Sequence, residues 1–192
     1  MAILRMVLVG VVLVAGPGCS GAGGGGGAAD VGDPALRREL LEMQAADQAE
    51  RASEPPEGWD DAARTERLAE IIDEHGWPTR ELVGSDGATA AWVIAQHSDL
   101  DLAFQERALE LLTEAVAEDD ASPGDLAYLS DRVAVAKGEP QTYGTQIRCD
   151  KKKPVPPTPV ADPAAVDELR AEAGLEPLQD YLDEMTEICE GV

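Results

Sequence analysis

The sequence predicts a mainly α-helical fold, a single compact multi-helix domain with one short β-hairpin or extended excursion. Apolar residues recur three and four positions apart along most of residues 33–192, which is the spacing of one helical face. An Asp–Pro or Ser–Pro pair marks several helix starts, and glycine marks several helix ends. After Gly138 the helical spacing is lost, and β-branched residues and prolines become frequent.

The first two predicted helices each carry an apolar stripe that faces a core. The first covers residues 33–53, and its stripe continues in step to the polar residues Asp47 and Arg51. Two residues four positions apart on one helical face are placed to form an ion pair. We therefore expect that pair on the core-facing side. The second helix covers residues 61–75, with Gly76 as its stop.

Three further helices follow before the character of the chain changes. The third, residues 88–97, is apolar on every side, which is typical of a buried helix, and it ends in the polar run 96–99. The fourth covers residues 101–117 and has a regular apolar stripe. The fifth begins at the capping sequence 122–125 and ends at Gly138. His97 is therefore expected at the C-terminal end of the most buried helix of the domain.

The last part of the domain mixes extended and helical segments. Residues 141–147 are strand-like, because they contain β-branched residues and show no helical spacing. A lysine-rich turn at 151–153 and a proline-rich return over 154–159 predict a small hairpin. A sixth helix is expected over 162–174, capped by its Asp–Pro pair, and an apolar stripe over 178–188 marks the seventh.

Residues 1–19 predict export. A basic start precedes an apolar run over 6–15, which is about half the length that a membrane-spanning helix needs. Small residues then lead to Cys19. This layout resembles the signal peptide of a bacterial lipoprotein, in which Cys19 would be lipidated and would anchor the protein to a membrane of the cell envelope.

The signal also departs from the lipoprotein pattern at two positions, Gly16 and Pro17. An ordinary secretory signal, cut among the small residues before Ala29, is the alternative. Residues 20–32 are rich in glycine and behave as flexible coil, so we expect a tether there and the helical domain from residue 33 onward.

The formal charge of −23 excludes one class of partner. An acidic surface of this strength repels nucleic acid, so no DNA or RNA binding is expected. The acidic clusters lack the spacing of a calcium-binding loop, and the chain has only two histidines and no CxxC sequence. Neither a metal site nor a cofactor is predicted.

Cys149 and Cys189 are the only cysteines that remain once Cys19 is assigned to the signal. In an oxidising compartment an even pair predicts a disulfide. This bond would tie the segment after Tyr143 to the last helix. Two separate buried thiols are the alternative.

Four segments place polar side chains beside apolar ones, and they supply the candidate site. The candidate ligand-binding residues are Asp47, Arg51, Gln96, His97, Arg132, Tyr143 and Gln146. Because buried polar groups need partners, we expect His97 to lie near Tyr143 and the Asp47–Arg51 pair in one polar cluster. The cluster would line a small-molecule or glycan-sized pocket, or it would be wholly internal.

Four short runs of the chain resemble one uncharacterised bacterial family, the domain of unknown function 6624. The runs are Gly76–Trp77–Pro78–Thr79, Gln96–His97–Ser98–Asp99, Tyr128–Leu129–Ser130–Asp131–Arg132 and Gln141–Thr142–Tyr143–Gly144–Thr145–Gln146. The resemblance extends over about residues 36–181, nearly the whole domain. The resemblance implies one intact domain, and it implies no activity, substrate or catalytic residue.

The residues leave three roles open, of which a binding or interaction module is the first. Such a module would hold a glycan, peptide or protein partner, with Tyr143, Trp77 and Trp92 as stacking or packing surfaces. In a purely structural role, the polar network would be internal and the acidic exterior would face a partner.

A hydrolase-type enzyme is the third role. His97 is then the general base, because it is the candidate side chain that titrates near neutral pH. Asp99 or Asp131 would orient its ring, and Arg51 or Arg132 would hold an anionic group of the substrate.

Overall fold

The computed structural model describes residues 31–53 and 59–191, and over these ranges the fold is mainly α-helical, as predicted. The elements are α1 (Pro34–Ser53), α2 (Asp61–His75), α3 (Arg80–Gln96), α4 (Leu102–Ala117), α5 (Pro123–Lys137), β1 (Arg148–Asp150), β2 (Lys153–Val155), α6 (Val166–Glu172) and α7 (Leu178–Gly191). The predicted signal peptide, with Cys19, lies outside the described residues. In the described ranges, no helix has the length and apolar character needed to cross a membrane.

Helix α3 occupies the centre of the helical bundle. It packs against α1, α2, α4 and α5, which explains why its residues 90–95 are apolar on every side. The most enclosed apolar side chains of the core come from the surrounding helices and from α3 itself: Leu40, Leu68, Ile71, Val83, Ile94, Leu112 and Leu129. The apolar stripes predicted for α1, α2 and α4 therefore face one common core.

The predicted capping residues act as the sequence indicates. The Asp33 carboxylate accepts hydrogen bonds from the first backbone N–H groups of α1, including that of Leu36 at 2.9 Å. The Ser122 hydroxyl accepts from the backbone N–H of Asp125 at the start of α5. Gly138 ends α5 with a positive φ of 74°.

Helix α3 begins earlier than the prediction of residues 88–97. Its first turn starts at Arg80, where the Thr79 hydroxyl accepts a hydrogen bond from the backbone N–H of Leu82. Gly84 then interrupts the helix with a φ of 76°, a conformation that a residue without Cβ adopts at little cost. The glycines at 84 and 87 weaken the helical signal, and packing against α1 supplies the stability that local propensity does not.

Residues 141–147 are not a strand, which corrects the prediction. Gln141 forms a single bridge to Val160, while several following N–H groups donate to a side chain of α5. The predicted hairpin is present further along, as β1 and β2 joined through a tight turn at 151–152. Helix α6 starts about one turn later than predicted, because the Asp162 carboxylate closes a separate turn before it.

The structure confirms the predicted disulfide. Cys149 of β1 is bonded to Cys189 of α7, with 5.4 Å between their Cα atoms. At the other end of the domain, the backbone N–H of Gly32 donates to the carbonyl of Glu81 at 3.0 Å. The end of the predicted tether therefore packs against the start of α3 and belongs to the folded domain.

Candidate functional site

A buried carboxylate on α1 is the centre of the candidate site. Asp47 continues the apolar stripe of α1, so its side chain points inward and is fully enclosed. It accepts hydrogen bonds from Nε2 of Gln48 at 2.8 Å and from Nε of Arg51 at 3.0 Å. Its Oδ2 atom also lies 2.8 Å from Nδ1 of His97. The predicted Asp47–Arg51 ion pair is therefore present, and His97 joins it.

His97 reaches this carboxylate from the C-terminal end of α3. Its Nδ1 atom lies between Asp47 and Nε of Arg51, 2.9 Å from the latter. The short distances from Nδ1 to both carboxylate oxygens, 2.9 and 2.8 Å, assign the proton to Nδ1, and Arg51 then donates to Oδ1 of the carboxylate and not to the ring. In this tautomer Nε2 carries the lone pair. No described residue hydrogen-bonds to Nε2, and 10 % of the side chain is exposed.

Two arginines complete what we call the Asp47 network, which consists of Asp47, Arg51, Asp61, Arg64 and His97. Arg51 donates to the Asp61 carboxylate at 2.7 Å, and Arg64 donates to the same carboxylate at 3.0 Å. Arg64 also pairs with Glu50 of α1. Both guanidinium charges are therefore neutralised by carboxylates, and neither is available to hold an anionic ligand without breaking a pair.

The Asp47 carboxyl remains ionised at neutral pH. Burial alone would raise its pKa, because a charge is less stable away from water. Hydrogen bonds from His97 and Arg51, together with the charge of Arg51 and that of the His97 ring whenever it is protonated, outweigh burial and hold the pKa below its ordinary value. His97 therefore faces an anion on its Nδ1 side.

A second, adjacent network lies on the other side of the 96–99 run. We call it the Arg132 network, and it consists of Asp99, Gln105, Arg132 and Gln146. Arg132 of α5 makes two parallel hydrogen bonds to Asp99, of 2.8 and 2.5 Å, and a third to Oε1 of Gln146. Such a bidentate pair fixes both side chains in one geometry. Asp99 is thus held by Arg132 and makes no hydrogen bond to His97. For an enzymatic role, the sequence had offered Asp99 or Asp131 as the residue that orients His97.

Gln96 and Gln105 tie the Arg132 network to the end of α3. Nε2 of Gln105 donates to the carbonyl groups of Ala95 and Gln96 and lies 3.4 Å from the Asp99 carboxylate. The side-chain nitrogen of Gln96 is buried and has no hydrogen-bond partner among residues 31–53 and 59–191. Gln96 therefore contributes its backbone to the network, and its side chain contacts neither Asp47 nor Arg132 by a hydrogen bond.

Asp131, a candidate catalytic residue from the sequence, anchors a loop. Its two carboxylate oxygens accept from the backbone N–H groups of Thr142, Tyr143 and Thr145, at 2.7–3.2 Å. The hydroxyl of Thr145 adds a further bond at 3.0 Å. Gln141 reinforces the loop through hydrogen bonds to the backbone of residue 146. All of the acceptor capacity of Asp131 is thus used to hold the 142–145 segment.

Tyr143 belongs to this loop and not to the His97 side of the site. Its N–H donates to Asp131, and its carbonyl accepts from Nη1 of Arg170 at 2.9 Å. No hydrogen bond or ion pair in the described part of the chain joins Tyr143 to His97. The single cluster expected from the sequence is therefore two networks, which meet only through the short run of chain between His97 and Asp99.

Several functional candidates from the sequence are core residues instead. Trp77 and Trp92 are only 5 % and 7 % exposed and pack in the hydrophobic core, and Trp77 also lines part of a cavity. Trp59 is the exposed tryptophan, with 44 % of its surface accessible, and the guanidinium of Arg51 lies 4.8 Å from its ring centre. Sequence reasoning did not select Trp59.

Sequence reasoning also missed three charged residues of the interior. The positions of Asp61 and Arg64 in the sequence could have indicated their burial and pairing. Arg64 lies one turn before Leu68 on the inward-facing stripe of α2, and it follows Asp61 by three residues, which is the spacing of an ion pair on one helical face. Nothing in the sequence indicates that Arg170 is buried. It is fully buried on α6 and donates to the carbonyl groups of Tyr143 and Glu176, which the tertiary structure brings to it.

Two cavities lie elsewhere on the domain, and neither is lined by His97 or Tyr143. One, of about 320 Å³, runs between α1 and α2 and is open and strongly charged. The other, of about 360 Å³, lies between the starts of α3 and α5. In residues 31–53 and 59–191, no group of three or more His, Cys, Asp or Glu side chains is placed to hold a metal ion.

Comparison with known proteins agrees with the extent of this domain. The sequence model of a family of unknown function (DUF6624) matches residues 34–190, from the first residue of α1 into the last turn of α7. No curated protein and no solved structure matches the chain.

Proposed function

This chain belongs to the family of unknown function DUF6624, and we propose that it is an exported, lipid-anchored protein of the cell envelope whose helical domain binds a protein or peptide partner. The proposed binding surface consists of Trp59, His97 and Leu100, and we call it the His97 face. The observation that carries the proposal is the exposure of two large apolar side chains, one in contact with Arg51 and the other three residues after His97.

Export and anchoring are supported by the order of features along the chain. A basic start, a short apolar run and small residues precede Cys19, and a glycine-rich stretch follows it. The bond between Cys149 and Cys189 adds support, because disulfides persist mainly in oxidising compartments outside the cytoplasm. Detergent partitioning tests the anchor. Cys19→Ala should move the protein from the detergent to the aqueous phase, and unchanged partitioning would refute lipidation.

The proposed His97 face combines two exposed apolar side chains with one polar side chain. Within the part of the chain that the structure describes, the exposed large apolar side chains are Trp59 and Leu100, at 44 % and 80 %. Leu100 follows His97 by three residues, so their Cα atoms lie within about 11 Å. Trp59 contacts Arg51, whose Nε atom bonds to His97. Exposed apolar groups gathered at one place are typical of an interaction surface.

The chemistry of the His97 face favours a protein or peptide over a glycan or a small anion. The guanidinium of Arg51 already occupies one face of the Trp59 ring, which limits stacking of a sugar there. The arginines beneath the face are paired with carboxylates, so a free anion finds no open charge. The domain as a whole is strongly acidic. We therefore expect a partner with apolar anchors inside a basic rim.

Site-specific photo-cross-linking in intact cells tests this surface. A photoreactive residue at position 100 of the full chain should give a discrete cross-linked product, which mass spectrometry identifies. The same residue at the exposed position 110 of α4 is the matched control and should give no such product. Trp59→Ala should remove the product formed at position 100. Identical products at both positions, or a product that survives Trp59→Ala, would contradict the proposal.

A second function, acid–base chemistry at His97, is favoured by one specific contact. Nδ1 of His97 lies 2.8 Å from the ionised, buried Asp47, which leaves Nε2 to accept a proton from water or from a substrate hydroxyl. In this candidate Asp47 is the positioning residue, in place of the predicted Asp99 or Asp131. Hydrolysis of chromogenic esters and phosphate esters by the wild type, compared with His97→Gln, tests it. Equal rates for the two proteins would rule out this function.

A further inference from the structure

A cavity between α3 and α5 has the size and lining of a ligand site, and it is separate from the His97 face. Its volume is about 360 Å³, which falls in the range of small-molecule pockets. The lining combines charged, hydroxyl and aromatic side chains: Trp77, Arg80, Ser85, Thr89, Ser122 and Asp125. All of these residues belong to the described part of the chain.

The cavity presents one positive and one negative group that do not pair with each other. No side chain among residues 31–53 and 59–191 forms an ion pair or hydrogen bond with the Arg80 guanidinium. Asp125 likewise makes no ion pair there, and burial raises its pKa to about 6, although the charge of Arg80 and the hydroxyl of Ser122 oppose this shift. Both groups are thus close enough to interact and too far apart to neutralise one another.

The framework that carries these groups is held by hydrogen bonds and not by the groups themselves. The indole N–H of Trp92 donates to the Asp125 carbonyl at 2.9 Å, which ties α3 to the first turn of α5. The backbone N–H of Arg80 donates to the carbonyl of Asp120, and that of Glu81 donates to the carboxylate of the same residue. Because the walls are fixed in advance, a ligand would bind without ordering them.

We propose that this cavity binds a small zwitterion of free amino acid or dipeptide size. The ligand's carboxylate pairs with the Arg80 guanidinium, and its ammonium group pairs with the Asp125 carboxylate. A simple anion would leave Asp125 uncompensated and would be repelled by the acidic domain, whereas a simple cation would leave Arg80 uncompensated. A zwitterion is neutral overall and complements both groups. The hydroxyl groups of Ser85 and Thr89 add polar contacts at the wall.

The test compares matched probes on the full chain by isothermal titration calorimetry. L-alanine carries both charges, while ethylamine and propionate each carry one charge on the same carbon skeleton. We expect L-alanine, or another of the twenty amino acids found first in a thermal-shift screen, to bind at least about tenfold more tightly than either one-charge probe. The absence of a shift with every amino acid and with dialanine at about 10 mM would overturn the proposal.

Substitutions at the two charged groups make the test specific. Arg80→Gln and Asp125→Asn should each weaken zwitterion binding by about tenfold. Both variants should fold, since Arg80 has no side-chain partner in the described residues and Asp125 loses a charge that burial disfavours. Arg107→Gln is the control, because this arginine lies in an exposed pair with Asp73. Propionate binding as tight as that of L-alanine, or binding unchanged in both variants, would refute a zwitterion site.

Discussion

Replacing Asp131 with alanine should detach the 142–145 loop from α5. The Asp131 carboxylate accepts from three backbone N–H groups and from the Thr145 hydroxyl, at distances of 2.7–3.2 Å. A hydrogen bond to a charged group contributes about 1.5–3 kcal/mol, and each buried N–H left without a partner costs about 1–3 kcal/mol. These contributions are not additive, because water can enter the space that the side chain leaves.

We expect Asp131→Ala to lower the free energy of unfolding by about 4 kcal/mol, which is a large share of the 5–15 kcal/mol typical of a domain. Asp131→Asn should recover less than half of this loss, because its amide retains one acceptor oxygen but turns an N–H₂ group toward other donors. Urea denaturation followed by circular dichroism measures both effects.

Asp150→Ala is the matched control for this prediction. Asp150 is exposed on β1 and makes no side-chain hydrogen bond within the described residues, so its loss should change stability by less than about 0.5 kcal/mol. A loss below about 1 kcal/mol for Asp131→Ala would show that water replaces the carboxylate. In that case Asp131 would not be the anchor of the loop.

Three further predictions concern the disulfide and two carboxylates. Replacing Cys149 and Cys189 with serine should cost about 4 kcal/mol, because the bond closes a loop of 40 residues; an equal urea midpoint with and without reductant would contradict this. The pKa of Asp47 is lowered, so its stabilisation should be fully present at neutral pH, and the difference in urea midpoint between wild type and Asp47→Ala should shrink as the pH falls below about 4. The pKa of Asp125 is raised to about 6, so its ionisation makes the fold progressively less stable as the pH rises from the ordinary aspartate pKa of about 4 to about 6. Asp125→Asn should therefore match the wild type near about pH 3 and exceed it by about 2–3 kcal/mol near about pH 8, and a deficit at the higher pH would show that the carboxylate is stabilising.

The observed helix bounds agree best with the predicted ones where the apolar spacing of the helix is regular. α1, α2 and α5 begin and end where their caps and apolar residues indicate. The start of α3 was not predictable in this way, because Gly84 interrupts it and its stability comes from packing against α1. Residues 141–147 have β-like composition, yet the N–H groups of Thr142, Tyr143 and Thr145 donate to Asp131 and not to a neighbouring strand. Asp131 belongs to α5, so the local sequence of the segment does not reveal this partner.

The buried polar residues also divide into those that local spacing predicts and those that only tertiary contacts explain. Asp47 and Arg51 continue an apolar stripe, so the sequence places them inside and near each other. Arg170 sits in a short, highly charged helix, and only the carbonyl groups brought to it by the fold explain its burial. The sequence likewise offers no means to decide whether an interior aspartate orients a histidine or caps a loop. That choice separates Asp47 from Asp131 and depends on which donor the tertiary structure brings within reach.

The pairing of charges distinguishes the two proposed sites. Around His97 the guanidinium groups of Arg51 and Arg64 are already matched by carboxylates, so an incoming ion must replace a formed pair and gains only the difference between two similar interactions. At the cavity, Arg80 and Asp125 remain unmatched by each other, so a ligand that supplies both opposite charges gains two interactions without breaking any. The His97 face is therefore suited to a partner that binds through apolar contact. The cavity is suited to a small zwitterion.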